Sequence, residues 1–330
     1  MRWAAKDVFN PGAVVRDGRL HLLVRAEDEV GLFAGTSRIG LAVADGSGRT
    51  FTLSPEPVLF PDNDEWSALE WPGGCEDPRV VESPDGRYVC CYSAFDGTRS
   101  RLMVATSDDL VTWRKHGPAF AGTPAADRWS KSGAIVTSVV DGRLQATRVG
   151  GRYVMYWGEG TCFLASSDDL VHWTPLECSP DDDRYLTFGE DGTLGSVRVH
   201  RVPGRPVLRP VLAPRPDRFD ALLVEPGPPA ILGAEGIVLV YNGARRVVGN
   251  GVPKGVTYQP GYAVFDEHEP GSPLERCREA SPPAGLRRLI GQVDGVCFAQ
   301  GLALHEGQWH LFIGMADSRI GHAVAPAPTS

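Results

Sequence analysis

The chain has 330 residues, 42% hydrophobic and 22% charged, a balance that excludes a mainly disordered protein. A net charge of −8 and a pI near 5.5 argue against nucleic-acid or anionic-membrane partners. Gly (39) and Pro (27) interrupt the chain too often for long helices, which leaves an all-β protein of short strands and turns.

No segment approaches the roughly 18 apolar residues of a membrane span, and the opening MRWAAKDVFNPG lacks the apolar stretch of a secretory signal. The seven cysteines form no CxxC and no other metal-ligand spacing, so they read as buried free thiols of a cytoplasmic protein. Nothing here calls for a metal or a cofactor.

In chain order, one strand-like segment recurs. It is IGLAVADGSGRTF at 39–51, LMVATSDDLVTW at 102–113, CFLASSDDLVHW at 162–173, GYAVFDEHEP from 261 and IGHAVAPAP from 320. Each copy follows a run rich in large apolar residues: GRLHLLVRA, GRYVCCYSA, GRYVMYWGE, GIVLVYNGA and GQWHLFIGM. The wide gap between the third and fourth copies is filled by a polar, Arg/Pro-rich insertion at about 178–218, which reads as a lid or an oligomer contact. Units of about 60 residues with several strands each predict a five-bladed β-propeller of four-stranded blades, occupying 1–330 as one catalytic domain. A pair of β-sandwiches would not repeat at this period. The Asp pairs at 108–109 and 168–169 read as turn residues, and Trp113 and Trp173 as blade packing.

In a propeller the innermost strands converge on one axis, so a site shows as one odd polar group per blade. The candidates are Asn10 before Pro11-Gly12, Arg25 closing an apolar run, and Glu76-Asp77-Pro78-Arg79 after a Gly pair. Further along come Trp157-Gly158-Glu159, Glu225 before a Pro-Gly-Pro-Pro turn, Tyr241-Asn242-Gly243, and Asp317. Aromatic rings beside carboxylates suit a sugar. Asp77, Glu159 and Glu225 could supply the acid and base of glycoside cleavage, or alternatively bind Ca²⁺.

FNPG, GCEDPR, SDDLVHW, the PGPP turn, YNG and ADS together closely resemble glycoside hydrolase family 130, from about residue 8 to 324. The resemblance implies a five-bladed propeller acting on β-mannosides, with Asp77 as general acid. It also implies that Asn10, Arg25, Arg79 and Asp317 hold the terminal sugar. The family contains inverting phosphorylases and inverting hydrolases. Phosphorylases carry Arg and His where this chain has Glu159 and Asn242, so the pattern is similar to the hydrolase branch acting on β-1,2-linked manno-oligosaccharides. By that resemblance Glu159 and Glu225 hold the attacking water, while Lys131 matches a lysine of the phosphorylases and keeps phosphorolysis open. The remaining alternative is a non-catalytic glycan-binding propeller. The expected partner is a β-mannoside, and a homo-oligomer is compatible with the sequence.

Overall fold

The computed structural model describes residues 1–29, 35–46, 48–179, 185–188, 194–199, 207–249, 252–282 and 289–327. They form a five-bladed β-propeller. Blade 1 is the antiparallel sheet β1 (Asp7–Arg16), β2 (Arg19–Glu27), β3 (Arg38–Ala44) and β4 (Phe51–Leu53). A short helix, α1 (Ser67–Glu70), leads to blade 2: β5 (Gly74–Glu82), β6 (Tyr88–Phe95), β7 (Ser100–Ser107) and β8 (Arg114–Pro118). Blade 3 has β9 (Ala134–Val140) innermost, extended by the short β10 (Arg143–Ala146) and β11 (Arg148–Val149). It continues with β12 (Arg152–Trp157), β13 (Cys162–Ser167) and β14 (Thr174–Pro175).

The insertion follows. Residues 180–184, 189–193 and 200–206 of it lie outside the described residues. Its described part includes the hairpin β15 (Tyr185–Phe188) and β16 (Gly195–Arg198), then β17 (Pro210–Leu212), which joins the edge of β13. In blade 4 the innermost strand is split into β18 (Leu223–Pro226) and β19 (Ala230–Gly233). Both pair with β20 (Gly236–Gly249), which leads to β21 (Val252–Phe265) and β22 (Pro273–Arg276). Blade 5 is β23 (Cys297–His305), β24 (Gln308–Met315) and β25 (Arg319–Pro326). It therefore has three strands among the described residues, not the four expected of every blade.

The five recurring segments fall on β3, β7, β13, β21 and β25, the third strand of each blade, and the apolar runs fall on the second strands. Those runs are apolar on both faces because each blade packs against a neighbour on either side. Val14, Leu23 and Ile39 of blade 1 meet Tyr88, Tyr92 and Met103 of blade 2. Val15, Leu20 and Leu22 meet Ala303 and Phe312 of blade 5, which joins the last blade to the first. Each Val, Leu, Ile, Met or Phe among them contributes about 1.5–3 kcal/mol by leaving water. The paired aspartates serve turns: Asp109 accepts the amides of Val111 and Thr112, and Asp169 those of Val171 and His172. Trp113 and Trp173 each donate the indole N–H to the carbonyl three residues back, of Leu110 and Leu170. Among the described residues no helix is long and apolar enough to cross a membrane.

The late part of the insertion is tied to blade 4 by a buried charge cluster. The Asp220 carboxylate accepts from Arg276 at 2.6 Å, Arg215 at 2.8 Å and the Tyr241 hydroxyl at 2.7 Å. Two guanidiniums share one carboxylate out of water. Asp220→Asn leaves both cations uncompensated, which is expected to cost about 3–5 kcal/mol. Denaturant unfolding checks this, and a midpoint equal to that of the parent protein would contradict it.

Candidate active site

In four of the five blades the ladder of the innermost strand is interrupted. Pairing between β1 and β2 shifts between Phe9 and Gly12, that of β5 with β6 between Glu76 and Arg79, and that of β23 with β24 between Ala299 and Gly301. In blade 4, Gly227-Pro228-Pro229 separates β18 from β19, and in blade 3 Ser132 takes a left-handed φ of 58° just before β9. Bulges and breaks re-aim side chains that a regular strand would point sideways. Asn10 (φ 44°) and Asp77 (φ 49°) turn toward the axis in this way. Proline follows both, and its missing N–H fits an interrupted ladder.

Asp77 is buried. Its Oδ1 accepts from Asn10 Nδ2 at 3.0 Å and Arg25 Nη1 at 3.1 Å, and its Oδ2 lies 3.9 Å from Lys131 Nζ. Burial would raise this carboxyl, but Arg25, Lys131, the Asn10 hydrogen bond and Arg79 outweigh it and hold it well below the usual carboxylate range. Arg25 is shared further, with Glu76 at 2.9 Å and Glu27 at 3.1 Å. Burial raises Glu76, against the pull of Arg25 and Lys131. Asp317, half-buried at the end of β24, is pushed up to about 6 by burial and by the Asp77 charge.

Two further carboxylates approach from blades 3 and 4. Glu159, 27% exposed, places Oε1 3.9 Å from Lys131 Nζ and accepts from Trp129 Nε1 at 2.7 Å on Oε2. Glu225 is buried and accepts from the Ser132 hydroxyl. Burial and the neighbouring Glu159 push its carboxyl up to about 7, although Lys131 and Arg79 pull the other way. Lys131 therefore stands between Asp77 and Glu159. Those two carboxylates can be no further apart than twice the 3.9 Å each keeps from it. Inverting glycosidases separate their carboxyls by about 6.5–9.5 Å to admit water.

Beneath the site the axis is closed. Gln300 Nε2 donates to the carbonyls of Asn10 at 2.9 Å and Pro78 at 3.1 Å. Below it, Val14, Val80, Leu144 and Leu302 leave a cavity of about 10 Å³, with the Glu82–Arg143 ion pair (3.0 Å) alongside. Gln300 and these side chains fill the axis below the site.

The structure thus brings together Asn10, Arg25, Glu76, Asp77, Lys131, Glu159, Glu225 and Asp317. Four other expected sugar contacts lie in the protein interior. Arg79 spends its guanidinium on the carbonyls of Gly227 (2.7 Å), Pro226 (2.7 Å) and Asp77 (3.1 Å), supporting the break in blade 4 from behind. Trp157 is buried between Phe120 and Phe163, with ring centroids 4.4 and 5.2 Å away. Tyr241 belongs to the Asp220 cluster. Asn242 clamps blade 4 to blade 5 through both the carbonyl and the amide of Ala299, at 2.9 and 2.8 Å. For Arg79 the register shift between Glu76 and Arg79 accounts for the change of direction, since without it a residue two beyond Asp77 would share its face.

Sequence reasoning missed Glu27, Trp129, Ser132, Tyr258 and Gln300. Tyr258, on β21, faces the site: burial, then Glu225 and Glu159, push its hydroxyl up to about 12. The one signal for Ser132 and Trp129 is their place beside Lys131 in the run WSKS, just before an apolar strand.

A family model described as beta-1,4-mannooligosaccharide phosphorylase, that of glycoside hydrolase family 130, matches residues 3–328. The chain belongs to glycoside hydrolase family 130. It is an enzyme of a family that acts on mannosides. The 1,2-beta-oligomannan phosphorylase of Thermoanaerobacter sp. (strain X514) is 27% identical over 98% of this chain and 90% of its own. A solved glycosyl hydrolase from Bacteroides ovatus is 38% identical, with a TM-score of 0.82 over 99% of this chain and 87% of that one. Another solved family 130 structure is 37% identical, with a TM-score of 0.81 over 99% and 88%. Its description states that this family of mannoside phosphorylases contains glycoside hydrolases that target β-1,2 mannosidic linkages in Candida mannan.

Proposed function

We propose that the protein is an inverting, exo-acting β-mannoside hydrolase whose substrates are β-1,2-linked manno-oligosaccharides. The observation that carries this reading is the charge of the pocket. Among the described residues, six carboxylates, those of Glu27, Glu76, Asp77, Glu159, Glu225 and Asp317, face four cations: Arg25 is divided among three of them, Lys131 lies 3.9 Å from two, Lys6 is spent on Glu27 at 3.3 Å, and Arg79 is bonded to backbone carbonyls. A phosphate dianion entering here would be repelled by this excess of carboxylates, and the two arginines, Arg25 and Arg79, already have partners. Water suffers no such penalty.

In this mechanism the terminal mannose sits on Asn10, Arg25, Glu76 and Asp317. The filled axis below the site leaves no through-channel for the middle of a chain, which supports exo action. Glu159 and Glu225 take a proton from water as its oxygen bonds to the anomeric carbon. The bond to the leaving sugar breaks, and its oxygen receives a proton from Asp77, directly or through a hydroxyl of the bound sugar. Mannose seated between Asp77 and Arg25 separates those charges and lifts the carboxyl back toward the protonated form. The chemistry calls for no cofactor. The seven free, buried thiols suit a reducing compartment, and we place the enzyme in the cytoplasm.

The second reading is phosphorolysis, favoured by the names of the curated relatives and by Lys131 at the centre of the pocket. Incubation with β-1,2-mannobiose, with and without inorganic phosphate, separates the two. Hydrolysis predicts free mannose at the same rate in both buffers. Mannose 1-phosphate formed only with phosphate would replace this reading with the second.

A further inference from the structure

The four residues Trp129–Ser132 touch every carboxylate assigned to the reaction: Trp129 holds Glu159, Lys131 faces Asp77 and Glu159, and Ser132 holds Glu225. The segment is pinned on both sides. The amide of Ser130 donates to the Ser100 carbonyl at 3.1 Å, its hydroxyl accepts the amide of Leu102 at 2.9 Å, and the Lys131 carbonyl accepts the amide of Gly158 at 2.9 Å. Its first side chain is unusual. Trp129 is 48% exposed although its neighbours are anchored, and its indole meets Phe95 edge-on at 6.4 Å. The single polar atom of the ring is spent on Glu159. An apolar face therefore remains open to solvent beside Glu159. With the axis filled below the site, a substrate enters from the exposed side, where Trp129 stands.

We propose that Trp129 is a positioning and specificity residue: its N–H orients Glu159 while its ring stacks on the leaving sugar of a manno-oligosaccharide. Apolar sugar faces pack on aromatic rings, and a bound sugar fixes the ring that fixes the base. Occupancy of the outer subsite and alignment of Glu159 are thereby coupled through one side chain. The positioning half rests on the hydrolytic reading; the stacking half does not.

The test compares Trp129→Phe, which keeps a ring without the N–H, with Trp129→Ala, which loses both. Kinetics are measured on β-1,2-mannobiose and on β-mannosyl fluoride, whose leaving group has no sugar. Trp129→Phe should lower kcat about tenfold on both substrates with little change in KM, through misalignment of the base. Trp129→Ala should show the same loss of kcat and also raise KM about tenfold for mannobiose alone. Unchanged kcat in both variants would overturn the positioning role. Equal mannobiose KM in Phe and Ala variants would overturn the stacking role. Calorimetric binding of mannobiose is measured in parallel in an Asp77→Asn background, where turnover is expected to be about 10³-fold slower. There, about tenfold weaker binding with Trp129→Ala than with Trp129→Phe supports the subsite even if cleavage proves phosphate-dependent, and equal affinities refute it. Unchanged melting temperatures confirm that both variants fold.

Discussion

Asp77→Asn is expected to lower mannose release from β-1,2-mannobiose by about 10³-fold, the scale of losing a general acid. The substitution is nearly isosteric, and its amide oxygen can still accept from Asn10 and Arg25, so the loss should lie in kcat and not in folding. A mannoside with an activated aryl leaving group needs little protonation. The variant should therefore recover most of its rate on that substrate. A deficit that is the same on both substrates would mean that Asp77 binds sugar and does not deliver the proton. A rate within a few-fold of the parent protein would remove Asp77 from the chemistry altogether. The environment of Asp77 makes this experiment decisive, because in the empty pocket Arg25, Lys131 and Asn10 hold the group ionised against the effect of burial. Substrate has to reverse that balance for the assignment to stand.

Glu225 gives the second large effect and fixes the sign of the pH dependence. Its carboxyl is pushed up to about 7 by burial and by Glu159. A base must be ionised, so kcat/KM should climb as the pH rises through about 7 and level off above it. Glu225→Gln should cut the rate by about 10²–10³-fold and remove that limb. Glu159→Gln should also cut the rate and, by taking away a neighbouring negative charge, shift the limb to lower pH. The opposite profile, with the rate falling as the pH rises through 7, would make Glu225 the proton donor and leave Asp77 to bind hydroxyls. Rate–pH profiles of the parent protein and the two variants distinguish these assignments.

Local chemistry made much of the fold and part of the site visible in the chain. Strand segments repeating at about 60 residues announce blades because each blade must bury both faces against like neighbours, which imposes one pattern on all of them. Asn10 stood out because it precedes Pro-Gly at a strand start, Asp77 because it sits with Glu76 and Arg79 at a proline turn after a Gly pair, and Glu225 because it precedes Pro-Gly-Pro-Pro. Only the tertiary structure decided which polar groups share the pocket. Arg79 and Asn242 look like site residues from their neighbours, yet they bond the carbonyls of Pro226 and Gly227 and the backbone of Ala299. Trp129 and Gln300 look unremarkable in sequence, yet one holds Glu159 and the other closes the axis. The physical reason is that strand alternation and bulges determine side-chain direction within a residue or two, while the axis gathers groups from five distant blades. A sequence records which residues are polar; which of them face the axis depends on where each ladder breaks.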